Sequence, residues 1–135
     1  MLAAQGFDAF AQVGVGIEEV QAELATALVG GALIRSRVRL VGPPDVTDRI
    51  SLVSLRLEHG VPTGEVARML SDSYGFMVRS GHMCSQPLVT DLAGGEILRV
   101  SAYLYNEVSE IEAFYESLDE LLSWIGPAAV VATRR

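Results

Sequence analysis

Lysine is absent from this 135-residue chain, so Arg35, Arg37, Arg39, Arg49, Arg56, Arg68, Arg79, Arg99, Arg134 and Arg135 supply all its basic charge apart from two histidines. Any chemistry that needs a lysine amine, above all a Schiff base, is closed to these residues. Cysteine is nearly absent too: Cys84 stands alone, which excludes an internal disulfide. With His59 and His82 it makes too few ligands for a closed metal site unless carboxylates are recruited, so no structural metal is expected. No apolar run approaches the roughly 20 residues of a membrane span, and Met1-Leu2-Ala3-Ala4-Gln5 lacks the basic start of a signal peptide. A soluble, cytoplasmic protein is the expectation. The net charge of -7 opposes a phosphate backbone or an anionic membrane surface, and no basic stripe with interleaved aromatics offsets it. Neither nucleic acid nor membrane is an expected partner.

Half of the residues are hydrophobic, enough for one core at this length, and residues 1–135 read as a single domain. Residues 1–30 form its helical entry segment and residues 35–126 an α+β core. Between Gly16 and Val29, the residues Ile17, Val20, Leu24, Ala27 and Leu28 share one helical face, and Gly30-Gly31 is expected to end that helix. Arg37–Val41 alternates as a strand closed by Gly42-Pro43-Pro44, and Ile50–Leu57 alternates as a second. Thr63 suits the cap of a helix bearing Val66, Met69 and Leu70. After Tyr74-Gly75, Phe76-Met77-Val78 reads as a short strand, and Ile97–Tyr105 as a fourth. Asn106 or Ser109 then opens a last helix, with Ser109 and Glu112 spaced as a capping box and Ile111, Phe114, Tyr115, Leu118, Leu121, Leu122 and Ile125 facing inward. Its other positions include Glu107, Glu110, Glu112, Glu116, Asp119 and Glu120 with no basic residue, which reads as a solvated face or as a docking surface for a basic partner. The order predicts an α+β fold, a mainly antiparallel sheet of about four strands with helices packed on it. The stretch from Pro127 is apolar and then basic, and no function attaches to it.

Chemistry concentrates in Arg79-Ser80-Gly81-His82-Met83-Cys84-Ser85-Gln86-Pro87. A cationic neighbour favours thiolate over thiol, so Arg79 and His82 suit Cys84 to nucleophilic or persulfide chemistry. Free cysteines also serve as small buried hydrophobes. His82 has two readings as well, proton transfer or an ordinary structural hydrogen bond; His59 has a weaker claim. Arg79 and Arg99 lie at or within strands, where a guanidinium clamps a carboxylate in bidentate fashion or simply forms an ion pair. Ser54, Ser80 and Ser101 lack a His-and-acid pattern for a hydrolase triad, and no Gly-rich phosphate loop precedes a helix.

The cysteine loop, followed by Arg99-Val100-Ser101 and Tyr105-Asn106, resembles the C-terminal domain of SufS-like cysteine desulfurases within the class V aminotransferases. That family carries Arg-(Ser/Thr/Ala)-Gly-His-His-Cys-Ala-Gln-Pro, then Arg-Ala-Ser and Tyr-Asn-Thr. The likeness runs from about Ile50 to Glu112 and more loosely from Gly14 to Pro44. It implies that Cys84 receives sulfur as a persulfide, that Arg99 holds the substrate carboxylate, that Arg79 is a second active-site arginine, and that His82 is the first histidine of the pair. Met83 replaces the second histidine, Ser85 an alanine and Glu107 a threonine. In this family a preceding large domain supplies the pyridoxal phosphate pocket and the Schiff-base lysine. The resemblance therefore implies a detached C-terminal domain that binds no cofactor alone and works with a lysine-bearing partner chain. A sulfur-relay protein with a separate sulfur acceptor, or a non-catalytic interaction module from a truncated gene, are the alternatives.

Overall fold

The structure is a computed structural model that describes residues 2–125; the apolar and then basic stretch from Pro127 lies outside the described residues. The elements run α1 (Leu2–Leu33), β1 (Val38–Val41), β2 (Leu52–Leu57), α2 (Thr63–Tyr74), β3 (Arg79–Gly81), α3 (Gln86–Ala93), β4 (Ile97–Ser101) and α4 (Val108–Ile125). The four strands form one antiparallel sheet in the order β1-β2-β4-β3. This is the α+β architecture expected from the sequence.

Strand alternation gives the sheet two unlike faces. Val38, Val53, Leu55, Leu57, Leu98 and Val100 form the inner face and share one buried cluster with Leu24, Leu28, Val29 and Ala32 of α1, Val66 and Leu70 of α2, and the apolar stripe of α4. On the outer face only a small cluster forms, where Val89 and Ala93 of α3 meet Ile97, with Val41 and Met83 against them. The outer face is otherwise occupied by Arg39, Ser54, Arg56 and Arg99, with Arg79 at its edge.

Several local expectations are corrected. Helix α1 does not stop at Gly30-Gly31 but continues to Leu33. Gly31 lies directly beneath the Tyr115 ring, so the close approach of α1 and α4 offsets the poor helix propensity of glycine. Arg35 ends the helix instead: its Nη1 donates to Gly31 O at 2.6 Å, and its guanidinium lies 4.6 Å from the centroid of the Tyr115 ring.

Phe76-Met77-Val78 is not a strand; β3 lies one step later. Gly75, with φ of 76°, closes α2 as its N–H and that of Phe76 bond to Ser71 O and Leu70 O. Phe76 is thereby tied to the helix end and packs edge-on to Phe114 at 5.8 Å. Thr63 is the first residue of α2, almost wholly buried, and Pro62 takes the cap position. Strand β4 ends at Ser101 rather than Tyr105 because Asn106 Oδ1 accepts from the Tyr103 N–H at 2.9 Å and turns the chain. At α4 the capping pair is Glu107 and Glu110, not Ser109 and Glu112: Glu110 Oε2 accepts from the Glu107 N–H at 2.8 Å.

Candidate functional site

The outer face of the sheet brings the two site arginines together. In the β3-β4 register Arg79 lies directly opposite Arg99, and Ser54 of β2 opposes Arg99 from the other side. Residues directly opposite across antiparallel strands put their side chains on the same face, so Ser54, Arg99 and Arg79 form one row. Like charges so placed repel unless an anion lies between them. The salt bridges among the described residues are Arg35–Asp119, Arg37–Glu58 and Arg68–Asp72, and none involves Arg79 or Arg99. The ion-pair reading of these two arginines is thus not realised among the described residues. Two guanidiniums side by side, one half-buried and one exposed, suit an incoming carboxylate.

Cys84 is exposed, so the buried-hydrophobe reading does not hold. It sits in a tight turn closed by the Ser85 N–H donating to His82 O at 2.9 Å, with Met83 at φ 52° and Cys84 at φ 61° in its centre. Two successive non-glycine residues in left-handed conformation cost on the order of 1–2 kcal/mol each. Surrounding structure must hold them there, and Met83 does so: its side chain packs into the outer cluster with Val89, Ala93 and Ile97. What replaces a polar residue in the family pattern is therefore an apolar anchor for the cysteine turn. Sequence reading missed this role, whose signal is an isolated apolar residue within a polar loop.

The turn leads straight into α3, an element the sequence reading did not place. Ser85 is its N-cap and Pro87 lies in its first turn, where the missing N–H costs nothing. Gly94, with φ of 74°, ends it. The positive end of this short helix follows Cys84 and favours a nearby sulfur anion. His82 is half-buried between β3 and the cysteine. His59 lies away from this turn, in a pocket beside Arg39 and Arg56. Among the described residues no group of three or more His, Cys, Asp or Glu is placed to hold a metal ion, and no helix is long and apolar enough to cross a membrane.

The aminotransferase class-V family model matches residues 2–114, and the chain belongs to that family. Within it, the similarity is to cysteine desulfurases. Proteins named probable cysteine desulfurase from Pseudomonas putida and Pseudomonas aeruginosa are 34% and 36% identical over 100 and 99 residues, which is 74% and 73% of this chain but 23% of each relative. Among solved structures, the apo cysteine desulfurase of Thermococcus onnurineus superimposes with a TM-score of 0.73 at 30% identity, covering 88% of this chain and 29% of that one. A cysteine desulfurase from Escherichia coli gives 0.64 at 27% identity, covering 77% and 25%. The chain is a cysteine-desulfurase-like domain that spans about a quarter of the length of these relatives.

The family depends on pyridoxal phosphate, but the residues present do not make a pocket for it. They include no lysine, and no glycine-rich turn opens a helix toward a phosphate. What they present instead is an exposed thiol and two cross-strand guanidiniums.

Proposed function

We propose that this domain supplies half of a cysteine desulfurase site to a separate lysine-bearing chain that holds pyridoxal phosphate. The cofactor, on that partner, supplies an electron sink at the substrate. Arg99 binds the substrate carboxylate through its planar N–H donors, and Arg79 across the strand pair adds a second positive charge that fixes orientation. Cys84 Sγ attacks the substrate sulfur; the S–S bond forms as the C–S bond breaks, and the electron pair leaves with the substrate carbon, which then takes a proton. Cys84 is left carrying one extra sulfur as a persulfide. His82, next to the turn, takes the Cys84 thiol proton before attack.

The observation that carries this reading is the coincidence of an exposed cysteine in a strained turn with two arginines in cross-strand register that make no salt bridge among the described residues. Copurification with a lysine-bearing pyridoxal phosphate protein tests it. Desulfurase activity is expected only in the mixture, and lost with Cys84→Ser or Arg99→Ala. A stable complex with no activity would refute the proposal and leave an interaction module.

A further inference from the structure

A second cluster of positive charge lies on the same outer face, one row of the sheet away from Arg79 and Arg99. Arg39 of β1 and Arg56 of β2 are direct cross-strand partners, so their guanidiniums share one face and repel. Beside them the sheet edge, Glu58-His59 and the C-terminus of α3 border an open hollow of about 370 Å³. Arg39, Arg56 and His59 line it, together with Arg37 and Glu58, which are paired to each other at 2.6 Å. Glu58 is the single carboxylate in the lining, and its charge is engaged.

Both guanidiniums are already held in place. Arg39 Nη2 donates to Ala93 O at 3.1 Å, and Arg56 Nη1 donates to Glu96 O at 2.9 Å. A Cβ at Gly95 would lie 3.0 Å from Arg56 Nη2, so the glycine leaves room for that guanidinium. Each arginine has five N–H donors and commits one within the described residues. Anchored guanidiniums with spare donors lose little side-chain freedom on binding, which favours an anion there. The chain carries a net charge of -7 overall, so anion binding depends on local positive clusters such as this one.

We propose that this pocket binds a small oxyanion, a phosphate or a carboxylate group, between Arg39 and Arg56. It is separate from the sulfur site: Cys84 precedes the N-terminus of α3 and the pocket lies at its C-terminus, about 12 Å along an eight-residue helix. The proposal stands independently of the desulfurase reading.

Amide NMR titrations of the whole chain with inorganic phosphate, and separately with a short Asp/Glu peptide, test it. Saturable shifts confined to residues 37–39, 56–59 and 93–95 are expected with at least one probe. Phosphate alone would identify a free anion as the ligand, and the peptide alone a carboxylate carried on a chain. Arg56→Gln, and independently the exposed Arg39→Gln, should weaken binding by roughly tenfold, the effect of losing one charge-assisted hydrogen bond. Arg68→Gln on α2 should not change it. Shifts that fail to saturate with either probe, or that survive both substitutions, overturn the proposal.

Discussion

Adjacent glycines in α1 should respond oppositely to the same substitution. A Cβ built on Gly31 would lie 2.3 and 2.4 Å from Cε2 and Cδ2 of Tyr115, far inside contact distance, whereas one on Gly30 meets nothing within 4 Å. The ring cannot swing away cheaply. Tyr115 is 1% exposed, its hydroxyl donates to Leu28 O at 2.5 Å, and Arg35 covers its face. Replacing a helical glycine by alanine contributes about 0.8–1 kcal/mol of stability when space is free. Overpacking a well-filled core costs about 1–3 kcal/mol, or more against a fixed ring. Gly30→Ala should therefore stabilise by up to about 1 kcal/mol, and Gly31→Ala should destabilise by about 1–2 kcal/mol net. An unfolding entropy of about 2.1 cal/mol/K per residue makes 1 kcal/mol worth roughly 3.5 °C at this length. Thermal unfolding followed by circular dichroism should then separate the two variants by about 7–10 °C. Equal Tm values, or a gain from Gly31→Ala, would refute the packing of α1 against α4 described above.

Tyr115→Phe removes the hydrogen bond to Leu28 O and should cost about 1 kcal/mol in denaturant unfolding. Burial pushes the Tyr115 phenol above its ordinary value of 10.0, with Arg35 opposing. The unfolded chain then ionises first as pH rises past 10, so this contribution is present below pH 10 and lost above it. Alkaline unfolding should accordingly be less steep in Tyr115→Phe than in the parent. Ser51 is 4% exposed and its Oγ donates to Ala102 O at 2.6 Å, so Ser51→Ala should cost about 1 kcal/mol and loosen the exit of β4, read as faster amide exchange at Ala102. Met83→Ala should release the cysteine turn from the outer cluster at a cost of about 1–2 kcal/mol, with exchange rising in α3 while the inner core stays protected.

The sequence carried the architecture because the inner faces are strongly patterned: alternation in Ile50–Leu57 and the helical stripe from Ile111 to Leu122 each point one way and the sheet obliges. It misplaced elements where tertiary contacts overrule local preference. Gly30-Gly31 reads as a stop until Tyr115 fills the space beside Gly31, and Phe76 reads as strand until the end of α2 claims its N–H. Helix α3 does leave its mark in the sequence, an N-cap at Ser85, a proline in the first turn and a left-handed glycine at Gly94, but its eight residues are too few for a strong helical period. At the site, Cys84, His82, Arg79 and Arg99 were named from residues and resemblance. That Arg79 and Arg99 are cross-strand partners needed the register, and the left-handed turn at Met83-Cys84 needed the backbone, because neither leaves a mark on residue identity.

On the proposed function, Cys84 takes sulfur from a substrate held by Arg99. Intact-chain mass spectrometry, after incubation with a lysine-bearing pyridoxal phosphate partner and L-cysteine, tests it most directly. The expected result is a gain of one sulfur atom on this chain, reversed by a thiol reductant, mapped to Cys84, absent in Cys84→Ser and strongly reduced in Arg99→Ala. Substrate turnover by the partnered mixture with Cys84 unmodified, or unchanged in Cys84→Ser, would contradict it.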